Sequence, residues 1–272
     1  MVTINSNYAA SFASNAAKQT TANLDSAMEK LSTGSRINYA RDDAAGQAIA
    51  TRLSAEIQGL SAASRNAADA QSMVDTADGA LQETQNVLLR MRELAVQSAN
   101  GTLTDADRDH TDAEFQQLEA ELTRISNNTT FAGTELLDGT VSSLSFQIGE
   151  GASQTISLSI SDMDATGLSL NNNDLQSAAN SQTAITAVDA AIDTVATQRG
   201  TLGALSNRLS STVANLDQIN VNLSSSKGRI QDADFALETS NLAKNQILQQ
   251  AATAMVTQAN ASKGSVMALL QS

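Results

Sequence analysis

The stretch LSAEIQGLSAASRNAADAQSMVDTADGALQETQNVLLRMRELAVQSANG, Leu53–Gly101, decides the fold. Every seventh residue in it is apolar: Leu53, Leu60, Ala67, Val74, Leu81, Leu88 and Ala95. Three positions further on, Ala63, Ala70, Ala77 and Met91 complete the a/d seam of a coiled coil. Its alanines let a neighbouring helix approach closely. Extended back to Ala44 and stopped by Asn100-Gly101, the pattern predicts a helix over Ala44–Ala99. Such a helix is roughly 80 Å long at about 1.5 Å per residue. Leu89 and Leu94 fall on the shoulders of this seam, interleaved with Arg90, Arg92 and Glu93. Leucines there imply a second surface, beyond the one that packs the helix inside its own molecule.

A second seam has the same period and comparable length: Val188, Val195, Leu202, Leu209, Leu216, Leu223, Ile230 and Leu237, with Ala191, Leu205 and Ile219 as companions. Pairing the two seams hides both. Gly200, Gly203 and Gly228 weaken the second run. The prediction is a helix over Ala184–Leu223, a joint at SSSKG and a terminal helix over Asp232–Leu270. Between the seams, Thr104 and Asp107 suit the capped start of a shorter helix reaching Ser126. NNTTFAGTELLDGT reads as a connecting loop. The period then changes to two, Leu144, Phe146, Ile148 and Ile156, Leu158, Ile160 around Gly149-Glu150-Gly151, which predicts a β-hairpin at about 141–160. GLSLNNNDLQSAANSQ reads as irregular. At the front, Leu24, Met28 and Leu31 end a first helix that Ser32-Thr33-Gly34 stops, and a charged loop leads to Ala44. The predicted fold is mainly α, with long antiparallel coiled-coil helices forming a rod and one small β-hairpin. Both chain ends should meet.

Composition agrees with helices and excludes several functions. Aromatics are 3%, and the 272 residues include no Trp, Pro or Cys. Missing proline removes the strongest helix breaker, and missing cysteine excludes disulfides and thiol chemistry. A net charge of −13 argues against nucleic-acid binding, which needs a basic footprint. No apolar run is long enough to span a membrane, and MVTINSNYAASFASNAAKQ has neither the basic nor the apolar region of a cleavable secretory signal. All 29 acidic residues lie between Asp25 and Glu238. Residues 1–24 carry only Lys18, and residues 242–272 only Lys244 and Lys263. Charge-poor, alanine-rich ends of this length imply burial against something.

No catalytic constellation is evident. Asp42-Asp43 and the alternating Asp105, Asp107 and Asp109 are acids at helix starts, where they complement the helix dipole. The second run lacks the glycine and terminal glutamate of a calcium loop. His110 has no His, Cys or Ser partner nearby and reads as a surface residue. There is no phosphate-cradling loop, nucleophile elbow or zinc-protease helix. No cofactor or metal is expected, and the chain reads as a non-enzyme. An intramolecular helical bundle accounts for the paired seams. The charge-free ends and the shoulder leucines point further, to self-assembly.

Several longer strings carry a resemblance. LSTGSRINYARDDAAGQAIATRL (Leu31–Leu53), GLSAASRNAADA (Gly59–Ala70), RMRELAVQSANG (Arg90–Gly101), LGALSNRL (Leu202–Leu209), RIQDADFALETSNLAKNQILQQA (Arg229–Ala251) and VMALL (Val266–Leu270) resemble the signature segments of bacterial flagellin. The resemblance covers residues 1–160 and 185–272, and the hairpin LSFQIGEGASQTISLSI is similar to the one closing the family's rod domain. Two departures stand out. Leu89 replaces a glutamine common in that pattern, and no proline occurs near SKGSVMALL.

The resemblance implies a minimal flagellin: residues 1–42 an N-terminal D0 helix and spoke loop, 43–228 a D1 rod, and 229–272 a C-terminal D0 helix, without outer variable domains. It implies a subunit that polymerises into the extracellular flagellar filament used for motility. Export would run through the flagellum's own type III apparatus with no cleavable signal. The implied partners are further copies of the chain, the flagellar cap and hook-associated proteins, and an export chaperone on the C-terminal helix. The vertebrate flagellin-sensing Toll-like receptor would bind free monomer. The surface matching Leu89, Arg90, Leu94 and Glu114 is the one used for both subunit and receptor contact. Leu24, Met28, Leu31, Ile247, Val266, Leu269 and Leu270 are the expected D0 assembly residues. The alternatives are a hook–filament junction protein, which shares the terminal helices, and a monomeric coiled-coil adhesin or secreted effector.

Overall fold

The computed structural model describes residues 6–171 and 173–271, with side chains through residue 264 in the last helix. The elements are α1 (Tyr8–Thr33), α2 (Ala44–Ser98), α3 (Asp105–Asn128), β1 (Thr130–Phe131), β2 (Thr134–Glu135), β3 (Leu144–Gln147), β4 (Thr155–Leu158), α4 (Ala178–Gln231) and α5 (Phe235–Gln271). Contacts divide the chain into two units, Glu56–Val221 and Met1–Ala55 with Asn222–Ser272.

In the unit Glu56–Val221, α2 and α4 run antiparallel. Ser61 meets Asn220 (2.9 Å), Ser64 meets Asp217 (3.2 Å), Asp78 meets Arg199 (2.8 Å) and Arg92 meets Asp189 (2.6 Å). One residue number falls as the other rises. Two of these contacts are ion pairs and two are hydrogen bonds from neutral donors, and polar contacts at a helix surface fix register more than stability. The energy lies in the seams, since every a-position from Leu60 to Ala95 and from Val188 to Leu216 is buried. Burying one leucine contributes about 1.5–3 kcal/mol.

Leu94 requires a correction. It is 2% exposed and belongs to the core, not to a shoulder. The a and d rows are joined by a third, Met73, Ala80, Val87 and Leu94, also seven apart and buried or half-buried. A stripe of three heptad positions is the face of a helix covered from two sides. Phe115 and Leu122 of α3 enter the same core beside α4. The third row is thus the cost of a third helix, which a two-helix reading does not anticipate.

The α2–α3 turn is closed by Arg108. It is buried, and its guanidinium donates to the carbonyls of Ser98, Asn100 (3.0 Å) and Leu103 (3.3 Å). A cation there serves carbonyls that the end of a helix leaves unpaired. Thr104 caps α3 as expected, in a reciprocal capping box with Asp107. The irregular segment before α4 is pinned to the core: Leu175 N–H donates to Asp112 Oδ1 (2.8 Å), Met163 N–H donates to the Leu137 carbonyl (2.8 Å), and Met163, Leu168, Leu170 and Leu175 are buried. Helix α4 begins at Ala178, six residues before the expected Ala184.

The hairpin pairs Leu144 with Leu158 and Phe146 with Ile156, and an Ile160 N–H bond to the Val141 carbonyl (2.9 Å) carries it out to its expected limits. Ile156 and Leu158 face the core. A second ladder, Thr130–Phe131 with Thr134–Glu135, lies inside the predicted loop, where Ala132 and Gly133 take positive φ.

In the unit Met1–Ala55 with Asn222–Ser272, α1 and α5 pair antiparallel. Asn7 Nδ2 donates to the Ala259 carbonyl (3.2 Å), Gln249 Nε2 donates to Thr21 Oγ1 (3.2 Å), and Lys30 pairs with Glu238 (3.5 Å). Gly34 in the left-handed conformation (φ 69°) ends α1 as expected. The loop after it is clasped to the α4–α5 joint. Arg36 N–H donates to the Gln231 carbonyl (2.7 Å), Ala233 N–H to the Gly34 carbonyl (2.9 Å) and the Arg36 guanidinium to the Ile230 carbonyl (2.8 Å).

The joint itself corrects the expectation. Helix α4 runs through SSSKG and breaks at Asp232-Ala233-Asp234 instead. A helical glycine such as Gly228 costs only about 1 kcal/mol relative to alanine, too little to break a well-anchored helix. Asp234, in contrast, caps α5, accepting from Ala236 N–H (2.9 Å) and Leu237 N–H (3.2 Å). The break resets the helix phase. Leu237, expected in the second seam, is therefore exposed, and its neighbour Glu238 turns inward. Ile219 is also exposed, because the seam closes at Leu216.

Candidate self-assembly surfaces

The terminal helix pair leaves much of its apolar surface uncovered. On α1 only Ala13 and Ala27 are fully buried. The row of α5 turned to its partner is Leu242, Asn245, Gln249, Ala252, Val256 and Ala259, one-third polar and nowhere fully buried. A different row, Ile247, Leu248, Ala251 and Met255, is exposed, with Ile247 at 67%. On α1, Tyr8 and Phe12, one turn apart, are exposed at 73% and 79%. From Asn241 to Gly264 the only charges are Lys244 and Lys263. Such faces, apolar and nearly free of charge, mark contact with another surface.

Of the expected assembly residues, Met28 and Ile247 are exposed, while Leu24 and Leu31 are half-buried in the α1 row facing α5. Val266, Leu269 and Leu270 have side chains outside the described residues. Tyr8, Phe12, Leu248 and Met255 escaped the sequence reading. The i, i+4 pair Tyr8/Phe12 and the i, i+7 pair Leu248/Met255 were the signals that could have found them.

A second surface lies on α2 and α3, within Glu56–Val221. Arg90 is its centre. Its Nε and Nη2 both donate to Glu114 Oε1 (2.9 and 2.8 Å), and its Nη1 to Glu93 Oε2 (2.5 Å). The hydrogen bonds to Glu114, then to Glu93, hold the guanidinium above its ordinary pKa. Leu89 is 50% exposed beside it, and Val96, seven residues on, is 49% exposed. The structure thus brings Leu89, Arg90 and Glu114 together at the surface and leaves Leu94 beneath them. Val96 is the apolar neighbour that the sequence reading missed.

The acidic candidates act as caps. Asp42 Oδ2 accepts from the N–H groups of Asn38 (3.1 Å) and Tyr39 (2.9 Å), and Asp43 Oδ1 accepts from Gly46 N–H (2.8 Å) at the start of α2. These backbone hydrogen bonds draw both carboxyls below their ordinary pKa. His110 is exposed. Among the described residues no three His or carboxylate side chains gather as metal ligands, and no helix is long and apolar enough to cross a membrane.

Long helices with uncovered apolar rows define a structural protein made to pack against further chains. The comparisons specify which. Residues 4–142 match the family model of the bacterial flagellin N-terminal helical region, and residues 185–270 that of the C-terminal helical region. The chain is 43% identical over 247 residues to a flagellin of Halalkalibacterium halodurans, covering 90% of this chain and 91% of that one. It is 42% identical over 278 residues to a flagellin of Bacillus subtilis, with the same coverage. The crystal structure of Bacillus cereus flagellin superposes with a TM-score of 0.51 at 36% identity, over 56% of this chain and 88% of that chain. This chain belongs to the bacterial flagellin family. Members of that family are structural subunits of the extracellular flagellar filament and not enzymes. Among the described residues no outer variable domain stands between β4, which ends at Leu158, and α4, which begins at Ala178, as in a minimal flagellin.

Proposed function

We propose that the exposed rows of α1 and α5 are the assembly device of this filament subunit. Residues 1–42 and 229–272 form its D0 part, and residues 43–228 its D1 rod. The observation carrying this reading is the apolar, nearly charge-free face Ile247, Leu248, Ala251 and Met255, uncovered while the opposite row of α5 meets α1. Burial against neighbouring copies removes it from water, and the contact repeats along an open helical lattice. Before assembly an export chaperone covers the same helix. The chain leaves the cell by the flagellar type III route and adds beneath the cap, after the hook-associated proteins. Deleting residues 242–272 should abolish polymerisation while α2, α3 and α4 keep their helicity. A truncated chain that still forms long filaments would overturn this.

The surface of Leu89, Arg90 and Glu114 serves contact between copies and, on free subunits, recognition by the vertebrate flagellin-sensing Toll-like receptor. A half-exposed arginine held in place by two carboxylates, beside exposed leucine and valine, has the composition of an interface anchor. Leu94 acts there only through the packing beneath it.

A further inference from the structure

The turn after α2 contains the one asparagine followed by glycine in the chain, Asn100-Gly101. Its peptide unit is held in an unusual way. Among the described residues nothing accepts from the Gly101 N–H, whereas the N–H groups of Asn100, Thr102 and Leu103 each have an acceptor. The carbonyl of the same unit, Asn100 O, accepts from Arg108 Nη2 (3.0 Å) and from Leu103 N–H (3.3 Å). The Asn100 side-chain oxygen accepts from Thr102 N–H (3.2 Å), which folds the carboxamide back along the backbone it precedes. Asn100 and Gly101 are exposed, and beyond Gly101 and its two chain neighbours no atom lies within 4 Å of where a Gly101 Cβ would be.

We propose that Asn100 is a built-in site of spontaneous deamidation, activated by Arg108. A peptide N–H loses its proton more readily when a cation hydrogen-bonds to the carbonyl oxygen of the same unit, because the anion's charge is delocalised onto that oxygen. A proton passes from Gly101 N to hydroxide, and the nitrogen attacks Asn100 Cγ. The new N–Cγ bond closes a succinimide, the Cγ–Nδ2 bond breaks, and ammonia leaves with a proton from water. Water then adds to the former Asn100 backbone carbonyl carbon, and its bond to Gly101 N breaks. The product is isoaspartate, whose free carboxylate forms where Arg108 already donates. That carboxylate gains a charge-assisted hydrogen bond. The subunit gains one negative charge and one backbone methylene in the α2–α3 turn.

The test is incubation of the folded full-length chain at mildly alkaline pH, followed by peptide mapping for a one-dalton gain and by isoaspartate methyltransferase labelling. The reference is the synthetic peptide VQSANGTLT, residues 96–104. Folded protein should deamidate at Asn100 at least as fast as the peptide, mainly to isoaspartate, and more slowly once unfolded in denaturant. Arg108→Met should slow the folded rate about tenfold, the change in anion fraction for one unit of N–H acidity. If that variant does not fold, the folded-against-unfolded comparison of the native chain decides alone. Gly101→Ala should slow both protein and peptide by hindering attack. A folded rate well below that of the peptide would overturn the proposal.

Discussion

Glu238 sits at the base of the α1–α5 pair with its side chain only 10% exposed, and Lys30 of α1 reaches it at 3.5 Å. It is the last acid in the chain, and beyond it the α5 row facing α1 is uncharged as far as Ala259. The two alanines buried along α1 supply little apolar area, so pairing depends on polar contacts that fix register. Lys30→Met should leave the Glu238 carboxylate without its cation and loosen α1 and α5 by about 1–3 kcal/mol. Amide hydrogen exchange across both helices checks this. The exchange Lys30→Glu with Glu238→Lys should restore part of the protection.

Gly46 is required by the start of α2. A Cβ there would lie 2.5 Å from Asp43 Oδ2 and 2.7 Å from Ile37 Cδ1, displacing the cap and a buried side chain together. Gly46→Ala should therefore destabilise by about 1–3 kcal/mol, although alanine is the better helix former. Asp43→Ala, which loses the cap and the Arg36 contact but creates no clash, should cost less. Thermal unfolding of both variants would show whether the clash outweighs the cap.

Acid should weaken the fold at the helix starts. Asp42, Asp43 and Asp107 are drawn below their ordinary pKa, the first two by backbone N–H groups and the third by Thr104, and Glu121 and Asp138 are lowered by Arg124 and Thr140. A depressed carboxyl contributes stability above its unfolded pKa and loses it as pH falls through the folded one. Glu119, raised by burial, and Glu135, raised by Asp138, act in the opposite sense. The capping carboxyls Asp42, Asp43 and Asp107 therefore lose their contribution as pH falls below about 4. Circular dichroism melts between pH 3 and 7, compared in Asp42→Asn and Asp43→Asn chains, should show a shallower acid limb in the variants.

Leu94 and Arg90 should separate packing from contact. Leu94→Ala opens a cavity in the core and should cost about 2–5 kcal/mol. Arg90→Ala should change stability far less, since its ion pairs are half exposed, yet weaken receptor activation and filament packing about tenfold or more. Equal loss of fold in the two variants would contradict the distinction.

The fold was largely legible in sequence because its two long helices carry strict seven-residue rows, and the capping residues Thr104 and Gly34 mark ends by their own chemistry. Periodicity failed where a third partner or a phase change intervenes. Leu94 reads as a shoulder until α3 supplies Phe115 and Leu122, which no local pattern announces. Leu237 reads as seam until the break at Asp232-Ala233-Asp234 resets the count. That break is capped by Asp234 and clasped by the Gly34 carbonyl and the Arg36 N–H, both far away in sequence. The Arg90–Glu114 contact came from family resemblance, and its geometry only from the structure.

The most direct test of assembly by the terminal helices is electron microscopy of the purified full-length chain, seeded with sheared filament fragments, beside an Ile247→Asp, Met255→Asp variant. The account predicts long hollow filaments from the native chain and none from the variant, whose residues 56–221 stay folded. Filaments from the variant at the native rate, or only monomers from the intact native chain despite seeds, would contradict it.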